Sequence, residues 1–195
     1  MKSGPRSITY ISAAIVALVG SCRPTQGRDT RPQHATVAPA TPLVLGLEEG
    51  ERRVRRSQTT GLSSPFILKV DGRNGGSPDM VMGYEDIPPG QAIAPHRHQT
   101  ADEIIFVHRG SGVVEVGSQV VAFSSGATIY IPKHVRIAVR NTGPEPVSIA
   151  FVFSKPGFEE LLRDTSVPEG QPVVPLSIEE RSAIRARHRW HTIYE

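Results

Sequence analysis

The sequence predicts an all-β protein, an antiparallel sandwich or barrel followed by short C-terminal helices. Between residues 66 and 153 the chain breaks into short apolar runs, FILKV, MVMGY, QAIAPHRH, EIIFVH, GVVEV, VVAF, ATIYI, VRIAV and VSIAFVF. Turn residues separate them, as DGRNGG, PPG, RGSG, SSG and NTGPEP. Many short strands at near-regular spacing need a closed or two-layered arrangement to bury their apolar faces. Beyond residue 156 the pattern changes. GFEELLRD reads as a short helix, and Ser177-Ile178-Glu179-Glu180 is a capping-box pattern that opens a second helix running to about His188.

Taken in order, the chain starts with Lys2 and Arg6 ahead of a mostly apolar run over residues 8–20. That run is too short to span a bilayer comfortably and suits the core of a signal peptide over residues 1–21. It ends in Val19-Gly20-Ser21-Cys22, and Cys22 is the only cysteine, which excludes an intramolecular disulfide. The ending resembles the bacterial lipoprotein box, in which small residues precede a cysteine that is lipidated and becomes the new N-terminus. The expectation is an exported protein, lipid-anchored through Cys22 on the periplasmic side of a bacterial envelope, with no other membrane contact.

Residues 22–42 carry Pro24, Pro32, Pro39 and Pro42 among Thr, Gln and Ala, a composition that favours an extended tether. The main domain is expected over residues 43–156 and a helical extension over 157–195. At residues 47–57, LEEGERRVRRS reads as a solvated helix or strand edge without a function. Eighteen of the 22 basic residues are arginine, and without Lys2 and Arg6 the formal charge of +3 falls to +1. That balance gives no footing for a nucleic-acid partner.

The segment GQAIAPHRHQTADEIIFVHRG, residues 90–110, concentrates the chemistry. His96 and His98 are two apart on an expected strand, so both imidazoles project from one face. The residues after them can turn the chain and start Glu103 on the next antiparallel strand beside the pair. Two imidazoles and a carboxylate form a ligand set for Fe, Mn, Ni, Zn or Cu. His108 has the opposite parity to Glu103 and should point away. Tyr84, Phe106 and Tyr130 read as core or wall. His188 and His191, three apart, read as an exposed basic helix end, because no carboxylate or cysteine lies at ligand spacing beside them.

These residues match the first motif of the cupin superfamily, G-x5-H-x-H-x(3–4)-E-x6-G, at every fixed position, and the chain resembles that family over roughly residues 66–153. The resemblance implies a jelly-roll β-sandwich with metal on His96, His98 and Glu103. The second cupin motif, G-x5-P-x-G-x2-H-x3-N, falls on GATIYIPKHVRIAVRN, where Gly126, Pro132 and Asn141 are in register. Two positions depart from it. His134 stands at the motif's glycine, and Ile137 stands at its remaining metal-ligating histidine. His134 begins three residues from the ligand position, so it reads as a surface or rim residue rather than a replacement ligand.

The resemblance therefore implies a divalent transition-metal site with extra open positions and a small-molecule ligand. A metal-dependent dioxygenase-type enzyme is the leading expectation. The alternatives are a non-catalytic cupin lipoprotein that senses or sequesters a small molecule, and a cupin isomerase that does not need metal. Because cupins often pair through their outer strands, a homodimer is a further expectation. The anchoring expectation has a direct check: in membrane fractionation, Cys22→Ser should move the protein from the membrane to the soluble fraction, and retention on the membrane would refute a lipid anchor at Cys22.

Overall fold

A computed structural model of the chain describes residues 40–56 and 64–195. The expected signal peptide, Cys22 and nearly all of the expected tether lie outside the described residues. The first strands are β1 (Glu51–Arg55), β2 (Pro65–Val70), β3 (Val81–Ile87), β4 (Ala92–His98) and β5 (Glu103–Arg109). They are followed by β6 (Ser111–Val116), β7 (Gln119–Ser124), β8 (Thr128–Ile131), β9 (Ile137–Asn141) and β10 (Val147–Phe153). The C-terminal elements are α1 (Phe158–Asp164), β11 (Ser166–Pro168), α2 (Ile178–Arg187) and β12 (Thr192–Tyr194).

The strands form two antiparallel sheets, a seven-stranded one in the order β11-β1-β2-β3-β10-β5-β8 and a five-stranded one in the order β12-β4-β9-β6-β7. Their facing surfaces make the core, so alternation decides which side chains enter it. In β5, Glu103, Ile105 and Val107 are buried while Ile104, Phe106 and His108 are exposed. The apolar members pack with Phe66, Leu68, Ile137, Val139, Ile149 and Phe153 in one cluster. Tyr84 is buried, but Phe106 and Tyr130 are exposed on the outer face. They are therefore not core residues, because each alternates with a buried isoleucine on its own strand.

The arginines within residues 51–55 do not lie on a peripheral edge. β1 lies inside the larger sheet, between β11 and β2. Its arginines are half-buried because each finds a partner: Arg53 donates to Ser166 Oγ at 2.7 Å, and Arg55 forms an ion pair with Glu85. Helix α1 is pinned to the same sheet by Arg163, which pairs with Glu51 at 2.5 Å and with the fully buried Asp71. Removing one member of such a buried pair leaves an uncompensated charge, so this knot fixes where α1 sits.

Helix α2 begins with the expected capping box. Glu180 N–H donates to Ser177 Oγ at 3.1 Å, and Ser177 N–H donates back to the Glu180 carboxylate at 2.8 Å. Leu161, Leu176 and Ile184 form a second small cluster, with Phe158 and Tyr194 packed against it. The chain then turns through His188 and His191 into β12, which adds to the edge of β4. In that register Thr192 faces His98 and Tyr194 faces His96.

Candidate metal centre

His96 and His98 share a face of β4, and Glu103 opens β5 after a short turn. The structure brings their side chains together, with one ligating atom of each within 4.8 Å of the others. His96 Nε2 lies 3.2 Å from His98 Nε2, and His98 Nε2 lies 3.3 Å from Glu103 Oε2. All three residues are at most 5% exposed. Aromatic rings enclose them: Phe153 and Phe158 stand 4.7 and 5.0 Å from His98, and Tyr194 stacks on His96 at 5.4 Å.

Hydrogen bonding assigns the proton on His96. Its Nδ1 lies 2.8 Å from the Ala94 carbonyl, which can only accept, so Nδ1 carries the hydrogen and Nε2 presents a lone pair. Burial, and then the neighbouring His98, lower the pKa of His96 to about 4 against the opposing pull of Glu103, so the imidazole is neutral near pH 7. Glu103 Oε2 is buried and accepts no hydrogen bond, although His98 Nε2 is close. The His96 lone pair and an orphaned carboxylate oxygen are costly alone, and together with His98 they make a donor set that fits a divalent cation.

Ile137 is fully buried and pairs across the strands with His96, so it presents an alkyl wall directly beside that imidazole. His134 is exposed in the turn before β9, and its N–H donates to the His98 carbonyl at 2.6 Å. Its φ of +69° explains why a glycine suits this motif position, since only glycine adopts that region without steric cost. His134 is not part of the converging group.

A cavity of about 400 Å³ opens from His96 and Glu103 between the sheets. Ile105, Ile137 and Phe151 form much of its apolar wall, while Arg55, Arg185 and Tyr194 bring polar groups to it. Sequence reasoning missed these three. Arg55 lay in a run read as solvated, and the α2–β12 segment carries no ligand-binding motif. The Arg185 guanidinium sits 4.2 Å over the Tyr194 ring. Burial pushes the Tyr194 phenol up, with Arg55 and Arg185 opposing it.

His188 and His191 do not form an exposed helix end. They are 6% and 2% exposed, packed beneath α1. The missing carboxylate arrives from a distant part of the sequence: Asp164, at the end of α1, lies 2.6 Å from His188 Nε2. Gly157, with φ of +134°, permits this packing, since a Cβ there would fall 2.9 Å from Trp190 and 3.1 Å from His191.

With two facing antiparallel sheets and a His-His-Glu cluster at one end of the core, the fold is the jelly roll of the cupins, and residues 83–153 match the family described as "Cupin domain". Over that stretch the chain carries a cupin domain, and its strands have the cupin fold. It is 29% identical over 138 residues to the dimethylsulfoniopropionate lyase DddW of Ruegeria pomeroyi, an alignment covering 69% of this chain and 81% of that protein. It is 25% identical over 124 residues to the tetracenomycin polyketide synthase protein TcmJ of Streptomyces glaucescens, covering 57% and 81% respectively. Among solved structures, a protein described as a predicted oxalate decarboxylase from Thermotoga maritima superposes with a TM-score of 0.51 at 16% identity. That match covers 58% of this chain and all of the other, and it shows the shared fold.

His96 and His191 both have pKa values lowered to about 4, His191 through burial and then its histidine neighbours. In the unfolded chain both would titrate near 6.5, so the unfolded state binds more protons between these values. Stability should therefore fall as pH drops from about 6.5 to about 4, by at most ~3 kcal/mol per histidine, and these two contribute no further change below that window. Urea midpoints of the chelator-treated protein across this range check the sign. A midpoint that holds constant would mean the imidazoles are not buried in neutral form.

Proposed function

We propose that the chain is a metal-dependent enzyme acting on a small organic anion, exported and held at the cell envelope through Cys22. One observation carries the catalytic part: the converging set of His96, His98 and Glu103 opens into a cavity that arginines also line. Arg181 and Arg185 belong to that lining, and among the described residues neither has an ion-pair partner. Guanidinium groups beside an apolar wall would select a carboxylate and orient it toward the ligand set.

A divalent metal held by these three residues would supply Lewis-acid polarisation of a substrate oxygen. The protein's own groups would do the rest. Arg185 and Arg181 hold the anion, and Phe158 with Ile137 excludes water. The Tyr194 hydroxyl, on the residue stacked against His96 and with its pKa raised by burial, would donate a proton to the bound anion. Similarity to a dimethylsulfoniopropionate lyase supports elimination from a carboxylate substrate as the reaction class. Ile137 favours a second reading, a dioxygenase, because the missing third imidazole leaves more positions open to substrate or O₂.

Two measurements test this. Metal-free full-length protein titrated with Mn, Fe, Ni, Zn and Cu should take up one equivalent of at least one metal. Ile137→His should tighten that binding by ~10-fold or more, about 1.4 kcal/mol. Failure to bind any of the metals would refute the metalloenzyme.

For the reaction, the loaded protein is assayed on small carboxylates, with dimethylsulfoniopropionate as the first probe, with and without oxygen. Turnover that survives anaerobically, with KM raised ~10-fold in Arg185→Gln, is the expected outcome for elimination. Turnover only in oxygen establishes the dioxygenase instead. No turnover in either condition, with saturable ligand binding, leaves the non-catalytic binding protein.

A further inference from the structure

We infer that Thr192, His191, His188 and Asp164 form a one-way hydrogen-bond chain that holds His98 in the tautomer with Nε2 bare, the form a metal ligand requires. These are positioning residues, and the inference rests on reading His98 as a ligand. The chain runs through the buried C-terminal segment. Asp164 Oδ2 lies 2.6 Å from His188 Nε2, and His188 Nδ1 lies 3.2 Å from His191 Nε2. His191 Nδ1 lies 2.8 Å from Thr192 Oγ1, which lies 3.2 Å from His98 Nδ1.

The direction follows from the end that has no choice. An ionised carboxylate only accepts, so His188 donates from Nε2 and, when neutral, leaves Nδ1 bare. His191 must then donate from Nε2 and leave Nδ1 bare. The Thr192 hydroxyl gives its single proton to that Nδ1 and can only accept from His98. His98 therefore carries its hydrogen on Nδ1, and Nε2 points a lone pair at Glu103.

Two features keep the sense fixed. His191 is neutral near pH 7, with a pKa lowered to about 4 by burial and then by its histidine neighbours. Burial alone would raise the Asp164 pKa, but hydrogen bonds from His188 and Arg187, the latter at 2.9 Å, hold the carboxyl below its ordinary value.

The competing tautomer would put the His98 proton on Nε2, within reach of His96 Nε2 at 3.2 Å and Glu103 at 3.3 Å. That arrangement satisfies the metal-free site and obstructs the metal. With His188 neutral, it also requires every donor back to Asp164 to reverse, and the ionised Asp164 has no proton to give. His96 reaches the same bare state locally, through the Ala94 carbonyl. The two imidazoles are thus set by independent means, one on its own strand and one through the C-terminal segment.

The test reads the tautomers directly. Long-range ¹H–¹⁵N correlation spectra of the metal-free full-length protein at about pH 8 should show His98 protonated on Nδ1. Thr192→Val should shift it to the Nε2-protonated form, whereas Thr192→Ser should retain the wild-type form. Asp164→Asn keeps the side chain's shape but can donate as well as accept, so it should leave His98 in a mixture. His96 should be unchanged throughout, which reports intact folding of β4.

Zinc affinity, measured by chelator competition, should fall ~10-fold or more in Thr192→Val and recover in Thr192→Ser, as for partners that orient a ligand. The inference is overturned if His98 keeps a bare Nε2 in both Thr192→Val and Asp164→Asn, or if the wild-type protein is protonated on Nε2. Because the tautomer is read without metal, a protein that binds no zinc would refute the ligand reading while leaving this result measurable.

Discussion

The pairing of the three-residue strand β12 with β4 is the contact on which the candidate centre depends. Its antiparallel register sets Thr192 opposite His98 and Tyr194 opposite His96. Residues directly opposed in such a pair stand close enough for their side chains to interact. One short edge strand therefore supplies the hydroxyl that faces one imidazole and the ring that covers the other. It also closes the edge of β4, which would otherwise expose unpaired backbone groups beside a buried polar cluster. Everything from α1 onward serves that placement. Arg163 ties α1 to Asp71 and Glu51, α1 ends at Asp164, and α2 returns the chain so that His188 meets that carboxylate.

The sandwich was legible because its physics is local. Alternation sorts β5 into buried Glu103, Ile105 and Val107 and exposed Ile104, Phe106 and His108, and that pattern is written in the residues themselves. The spacing of His96, His98 and Glu103 was legible for the same reason, since two residues on one face and a third across a tight turn need no distant information. Ile137 could be recognised as a wall in place of an imidazole because the surrounding motif fixed its register.

What could not be read is what distant segments bring. RRVRR looks solvated by composition, yet Glu85 and Ser166 lie 30 and 113 residues from Arg55 and Arg53. His188 and His191 look like a basic helix end until Asp164 arrives from α1. Tyr194 and Thr192 lie in a strand of three residues, too short for any period to declare itself. In each case burial depends on a partner whose position is set by tertiary packing.

The C-terminal chain bears on how a three-residue ligand set would compete for metal without a third imidazole. Burying polar groups is costly, and each link from Asp164 to His98 must be satisfied to offset that cost. A chain with a fixed direction does more than satisfy its members. A free imidazole divides its proton between two nitrogens, and binding metal through Nε2 must first select one form. Where the protein has already made that selection at both His96 and His98, the selection is removed from the binding equilibrium. The enclosing rings of Phe153, Phe158 and Tyr194 further restrict how the imidazoles can turn. Pre-organisation of this kind lowers the ordering cost of binding. It would offset part of the affinity forfeited at Ile137 while keeping that side of the centre apolar and open to substrate.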